Sequence, residues 1–182
     1  MKRFRISIAG DIASGKSTLI PLLTERYNAE VISAGKFIRQ FAEELGMSIV
    51  EFNEYQKLHP EYDKKLDSKV AEYSEIDGDF IFDSRLAWHF VPDSFSVYVK
   101  CDLDVAAERM YNANREKEKY ESVEKAKEAI ILRRKAEVER YKKFYGLDVG
   151  DLSNYDLVID STKASPEELA EIIIENWKKT NR

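Results

Sequence analysis

Cysteine is nearly absent from this chain: Cys101 is the single thiol in 182 residues. No intrachain disulfide can form, and one thiol supports no cysteine-rich metal centre. A reducing compartment is the natural setting for such a chain. Histidine is almost as scarce, and His59 and His89 stand too far apart in sequence to suggest a metal pair. No apolar run approaches the ~20 residues that a membrane-spanning helix needs. Met1-Lys2-Arg3 leads directly into a strand-like segment without the apolar stretch of a signal peptide. A soluble, cytoplasmic protein with no membrane partner is expected. Positive charge is not in excess either: the net charge is −5. That argues against a nucleic-acid partner, which calls for a basic surface. It leaves room for a small phosphorylated ligand, which needs only a local basic cluster.

What is present is apolar and charged material in quantity, 43% and 35% of the residues, enough for a sizeable core under a charged surface. The length fits one domain over 1–182, expected as a monomer. Phe4 to Ala9 reads as a buried strand ending at Gly10. The segment from Ser17 to Tyr27 is helical, with Leu19, Ile20, Leu22 and Leu23 at the right spacing and Pro21 in its early turns. Glu30 to Ser33 is a second strand. Gly35 to Leu45 is an amphipathic helix stopped by Gly46. Met47 to Asp77 holds two helical pieces split near His59-Pro60. Phe80-Ile81-Phe82 and Phe95 to Lys100 are strands. Asp104 reads as the N-cap of a helix through Met110. Ser122 to Tyr145 is a long charged helix, and the polar segment from Asn112 to Glu128 is either a flap or a solvated helix. Leu157-Val158-Ile159 is the last strand. Ser165-Pro166-Glu167-Glu168 opens a final helix that runs to about Trp177. Strands alternating with helices imply an α/β fold with a parallel sheet covered on both faces.

Glycine is also scarce, with seven residues, yet two of them fall in one short segment, Gly10-Asp11-Ile12-Ala13-Ser14-Gly15-Lys16-Ser17-Thr18. This has the spacing of a phosphate-binding loop between a strand and a helix. The glycines let the backbone curl around an anion. Consecutive N–H groups then point inward, and the helix N-terminus adds its positive end. Lys16 is placed to reach the β- and γ-phosphates of ATP, and the Ser17 hydroxyl to sit on Mg²⁺. Asp83, at the end of the Phe80-Ile81-Phe82 strand, is a second Mg²⁺ candidate, directly or through water. Asp11 is an unexpected acid inside a loop built for anions, although its carboxylate can point outward.

Further motifs suggest a second substrate. Ser33-Ala34-Gly35-Lys36-Phe37-Ile38-Arg39 resembles the acceptor motif of nucleoside monophosphate kinases. Asp83-Ser84-Arg85-Leu86 resembles their Asp/Glu-Gly-Arg segment, with Ser84 in the glycine's place. Arg133, Glu137 and Arg140 follow an R-x-x-x-[DE]-x-x-R spacing. Tyr141, Tyr145-Gly146-Leu147-Asp148 and Tyr155-Asp156-Leu157-Val158-Ile159-Asp160 then complete a pattern similar to the cytidylate kinases, in particular their short archaeal-type branch. Glu51-Phe52-Asn53-Glu54-Tyr55 and the Asp63 to Asp67 segment match it too, so the resemblance covers nearly the whole chain.

The resemblance implies a three-layer P-loop NTP-binding fold of about five parallel strands with a helical lid. Residues 35–77 would form the acceptor-binding helical region and 112–140 the lid region. It implies Mg²⁺-dependent transfer of a phosphoryl group from ATP to CMP or dCMP, with Lys16, Arg39, Arg85 and Arg133 as the catalytic set. ATP would lie against Gly10 to Thr18 and Arg109, with Arg115 as a further lid arginine. The acceptor would meet Ser33, Gly35, Arg39, Asp83, Arg85, Arg133, Glu137 and Arg140, and Glu137 would accept from the cytosine amino group.

Chemistry supports this independently. A guanidinium grips a dianionic phosphate through two parallel bonds and never loses its charge. An ionised carboxylate only accepts hydrogen bonds, so it favours an amino group over a uracil carbonyl. Read as bare spacing, Arg133, Glu137 and Arg140 also fit a surface helix laced with ion pairs. Two rivals therefore stand: a P-loop kinase for another small acceptor, such as the shikimate or dephospho-coenzyme A kinases, and an ATP-dependent switch that contacts a macromolecule.

Overall fold

The structure is a computed structural model and describes residues 3–113 and 119–180. Among the described residues, five strands and eight helices follow one another, all but the short fifth helix in the anticipated order. They are β1 (Arg5–Gly10), α1 (Lys16–Tyr27), β2 (Glu30–Ser33), α2 (Ala34–Glu44), α3 (Ile49–Leu58), α4 (Glu61–Glu72), β3 (Phe80–Asp83), α5 (Ala87–Phe90), β4 (Phe95–Lys100), α6 (Leu103–Asn112), α7 (Val123–Tyr145), β5 (Leu157–Asp160) and α8 (Pro166–Lys179). The strands form one sheet in the order β2-β3-β1-β4-β5. Its pairings are parallel, with Ile8 opposite Asp83, Ser33 opposite Asp83, and Lys100 opposite Asp160. Parallel neighbours require a crossover between them, and the helices supply it. The chain is thus a five-stranded parallel sheet flanked by helices, as the alternation of elements suggested.

The helix ends show why the boundaries fall where they do. Ser48 and Glu51 form a reciprocal capping box at the head of α3. The Ser122 hydroxyl accepts from the Lys125 N–H at the head of α7, and Gly146 closes that helix at φ +70°. Ser165 and Glu168 exchange bonds at the head of α8. The expected cap of α6 is corrected: Asp102, not Asp104, accepts from the N–H groups of Asp104 and Val105. Asp104 sits inside the first turn, where an acid favours the positive end of the helix. It pairs there with Lys127 of α7. The short α5 carries no periodic signal and was not anticipated.

Contacts divide the chain into two compact units, one of residues 1–9, 23–96 and 180–182, the other of 10–22 and 97–179. In the first, Ile32, Val70, Phe80, Phe82, Ala87 and Val91 form one apolar cluster, and Phe41, Ala42, Phe52 and Leu66 form another. Arg5 is buried there at 3% exposure. Its guanidinium donates to the carbonyls of Ile76 and Tyr73 and pairs with Asp93 at 2.8 Å. Buried charge requires such pairing. In the second unit Ala106, Ala107, Met110, Ala126 and Ile130 join α6 to α7. Among the described residues no helix is long and apolar enough to cross a membrane.

Candidate active site

The loop after β1 is fixed by two glycines for two different reasons. A Cβ on Gly10 would sit 2.4 Å from the Val99 carbonyl oxygen, so only glycine lets the loop leave β1 against β4. Gly15 has φ +84°, a left-handed conformation that a side chain opposes. Ala13 shares that region at φ +59°. Left-handed residues set among right-handed ones curl backbone N–H groups into an anion-binding concavity. Ile12 and Ala13 pack their side chains against the α6–α7 cluster. The head of α1 follows at once, and its first-turn N–H groups lack intrahelical acceptors. Lys16 lies across the loop, its Nζ donating to the carbonyls of Gly10 (3.2 Å) and Asp11 (2.8 Å) and to Ser14 Oγ (3.2 Å). Ser17 and Thr18 are exposed at the helix head.

Asp11 does not face the anion concavity. Its carboxylate accepts from the Tyr98 hydroxyl at 2.6 Å and from the Cys101 N–H at 2.9 Å. Its own N–H donates to the Val99 carbonyl at 2.9 Å. The acid that looked misplaced in the sequence is a tether to β4.

In the other unit the ends of β2 and β3 bring a second group together. The Ser33 hydroxyl donates to Asp83 Oδ2 at 3.3 Å. A Cβ on Gly35 would meet Arg39 Nη1 at 3.7 Å and Ser33 Oγ at 3.6 Å, so the Arg39 guanidinium lies back over the bare helix start beside Ser33. Arg85 is half-buried just beyond Asp83, and Ser84 is buried at 8% exposure. Among the described residues no three His, Cys, Asp or Glu side chains converge as a metal cage. Mg²⁺ does not require one, since it is usually held by one or two protein oxygens plus waters and substrate phosphates. The Ser17 hydroxyl is exposed in one unit and the Asp83 carboxylate half-buried in the other, each a hard oxygen donor by itself.

Along α7 the three residues of the R-x-x-x-[DE]-x-x-R spacing differ in exposure. Arg133 is exposed, whereas Glu137 and Arg140 are half-buried. The Arg140 guanidinium lies 5.0 Å from the Tyr141 ring centre and donates to the Tyr141 hydroxyl. Arg134 is a neighbour of Glu137 that the spacing did not single out. It lies 3.8 Å from Glu137, donates to the Val149 carbonyl at 3.1 Å, and stands 5.9 Å from the Tyr98 ring centre. Three consecutive cations, Arg133 to Lys135, hid it, because spacing alone does not say which of them turns inward.

Arg109 donates to the loop after β5, with 2.8 Å to the Ser161 carbonyl and 3.4 Å to Ser161 Oγ, and to Cys101 Sγ just after β4 at 3.4 Å. Arg115 and the rest of 114–118 lie outside the described residues. A cavity of about 570 Å³ opens between the loop (Asp11, Ile12), Cys101 just after β4, Leu103 at the start of α6, and α7 (Ile130, Arg134). Burial pushes the Cys101 thiol up from its ordinary pKa.

Comparison with known proteins places the chain in a family. Residues 5–163 match the model of the cytidylate kinase-like family. The chain is similar to a cytidylate kinase of Methanobrevibacter smithii, with 33% identity over 95% of this chain and 98% of that one. A cytidylate kinase of Pyrococcus horikoshii is 37% identical over 92% and 85% of the two chains. An S-adenosylmethionine-dependent nucleotide dehydratase of Lacinutrix mariniflava is 34% identical over 97% of this chain, which spans only 36% of that larger protein. Among solved structures, an uncharacterized protein from Eubacterium ventriosum superposes with a TM-score of 0.75 at 15% identity, covering 98% of this chain and all of that one. The shikimate kinase of Aquifex aeolicus gives 0.61 at 21% identity, over 96% of both chains. At such identities the structures speak for the fold. The sequence match over most of the chain speaks for more: the chain belongs to the cytidylate kinase-like family, and so to the phosphotransferases.

Proposed function

We propose that this enzyme transfers the γ-phosphoryl group of ATP to CMP or dCMP, giving ADP and the nucleoside diphosphate. The observation that carries the reading is the loop from Gly10 to Thr18, whose curled backbone and Lys16 form a cradle for the phosphates of a nucleoside triphosphate. The bond from the γ-phosphorus to the β–γ bridging oxygen breaks, and a bond to an oxygen of the acceptor phosphate forms. Transfer of this kind needs positioning and charge neutralisation and no protein nucleophile. Lys16 would neutralise the donor phosphates. Ser17, with Asp83 directly or through water, would hold Mg²⁺, which supplies charge stabilisation at the phosphate oxygens. Arg39 and Arg85 would grip the acceptor phosphate, beside Ser33 and Gly35. Arg133 and Arg140 would add positive charge, and Glu137 would accept from the cytosine amino group. A monomeric, cytoplasmic enzyme with small-molecule substrates fits this reading. ADP release measured against a panel of acceptors tests it: turnover with CMP or dCMP is expected, and none with CMP, dCMP or UMP would overturn it.

The match to a nucleotide dehydratase nearly three times the length of this chain favours a second, compatible reading. The phosphorylated nucleotide would then feed a dehydration step carried out by a separate catalytic unit. It predicts an acceptor choice that matches the nucleotide this dehydratase consumes. The same panel, extended to purine monophosphates, decides whether the two preferences coincide.

A further inference from the structure

Resting on the proposal that the loop binds the phosphates of ATP, we infer that Asp11 is a positioning residue that sets the phosphate loop and Lys16 through β4. Three separate groups of this one residue are engaged. The carboxylate holds the Tyr98 hydroxyl at 2.6 Å and the Cys101 N–H at 2.9 Å. The backbone N–H donates to Val99 at 2.9 Å. The backbone carbonyl accepts from Lys16 Nζ at 2.8 Å. One residue thereby links the lysine that meets the phosphates to the last turn-out of a central strand.

An acid in an anion-binding loop is unfavourable unless its charge is engaged elsewhere. Here both carboxylate oxygens have donors, and bonds to an ionised acceptor are shorter and stronger than neutral ones. The 2.6 Å bond to Tyr98 is of that kind. The tether complements the Gly10–Val99 approach. Gly10 permits the loop to lie against β4, and Asp11 holds it there. It also gives the aromatic hydroxyl on β4 a role: the Tyr98 ring packs against Tyr155 at 5.0 Å between centres while its hydroxyl serves the loop.

The test compares Asp11→Ala, Asp11→Asn, Tyr98→Phe and the double variant Asp11→Ala/Tyr98→Phe in the full chain. The readouts are the dissociation constant of Mg²⁺-ADP by calorimetry, and kcat with KM for each substrate. Asp11→Ala removes two charge-assisted bonds, so Mg²⁺-ADP binding is expected to weaken by about tenfold or more. kcat should fall with it, while KM for the acceptor stays put. Asp11→Asn keeps one carbonyl acceptor and should recover part of the loss. Tyr98→Phe should cost roughly threefold to tenfold, and the double variant should bind no worse than Asp11→Ala alone. Unchanged nucleotide affinity in Asp11→Ala, with only a lower melting temperature, overturns the inference, as does additive loss in the double variant. If Asp11→Ala does not fold, Tyr98→Phe against Asp11→Asn decides in the same way. The dissociation constants are read without acceptor, so they decide the role of Asp11 whether or not CMP is the substrate.

Discussion

Gly10 lies so close to Val99 that a Cβ would stand 2.4 Å from the Val99 carbonyl oxygen and 2.9 Å from its Cβ. Both neighbours belong to the framework of β4, so neither yields cheaply. Gly10→Ala should therefore move the loop or weaken its seat on β4. The expected outcome is a loss of about 1–3 kcal/mol of stability together with a marked loss of nucleotide binding. Thermal unfolding with and without Mg²⁺-ADP measures both, because a ligand bound only by the folded state raises the melting temperature. A variant that melts and binds like the parent would show that the contact relaxes without consequence.

Glu137 is half-buried with Arg134 at 3.8 Å. If its carboxylate selects cytosine, Glu137→Gln should lower kcat/KM for CMP far more than for UMP, with Mg²⁺-ADP affinity preserved. The amide can still accept one bond, so a loss of about tenfold is expected on CMP. Equal falls on both acceptors would reduce Glu137 to a structural partner of Arg134.

How much of this was legible in the sequence depends on what each feature needs. Gly10, Gly15, Lys16 and Ser17 announce themselves because their spacing is dictated by the phosphate cradle. Ser122 and Ser165 announce helix starts because a hydroxyl there meets N–H groups a few residues on. Asp102 and Asp104 both have the right chemistry for a cap, and only the backbone turn after β4 decides between them. Arg134 was hidden for a similar reason. The rotation of α7 is set by buried Ala126, Ile130 and Tyr141, and that choice turns Arg134, not Arg133, toward Tyr98. The role of Asp11 was out of reach, because its partner Tyr98 lies 87 residues away in sequence.

Exposed carboxylates make acid the weak side of the stability profile. The Ser48 hydroxyl and then its N–H hold the Glu51 carboxyl below its ordinary value of 4.5. The hydroxyls and then the N–H groups of Ser153 and Thr162 hold Asp151 and Asp160 below 3.8. A pKa lower in the folded than in the unfolded chain means that unfolding takes up protons. The stabilisation is therefore complete above the unfolded values and is lost as pH falls through the folded ones. The melting temperature should be flat near neutrality and drop below about pH 4.5. Replacing Glu51, Asp151 and Asp160 by their amides should shallow that drop. A triple variant with the parent's acid profile would show that other carboxylates control it.

Arg5 provides a test outside the site. Its side chain is 4% exposed and that of Asp93 is 47% exposed, 2.8 Å apart. Asp93→Ala leaves the guanidinium with the carbonyls of Ile76 and Tyr73 and the rings of Phe80 and Phe82. With those partners intact, a loss of about 1–3 kcal/mol is expected. Arg5→Ala removes the stem as well and should cost more. Urea unfolding of both variants checks the order, and the reverse order would contradict it.

Cys101 is the chain's single thiol. It sits half-buried on the cavity wall, and its N–H anchors the carboxylate of the phosphate loop. Burial keeps the thiol protonated near neutrality, so electrophiles should react with it slowly there and faster in mild alkali. Cys101 is thus a single site-specific attachment point for a dye or spin label, beside the phosphate loop and free of competing thiols. A label placed there needs no engineered cysteine to report on the loop.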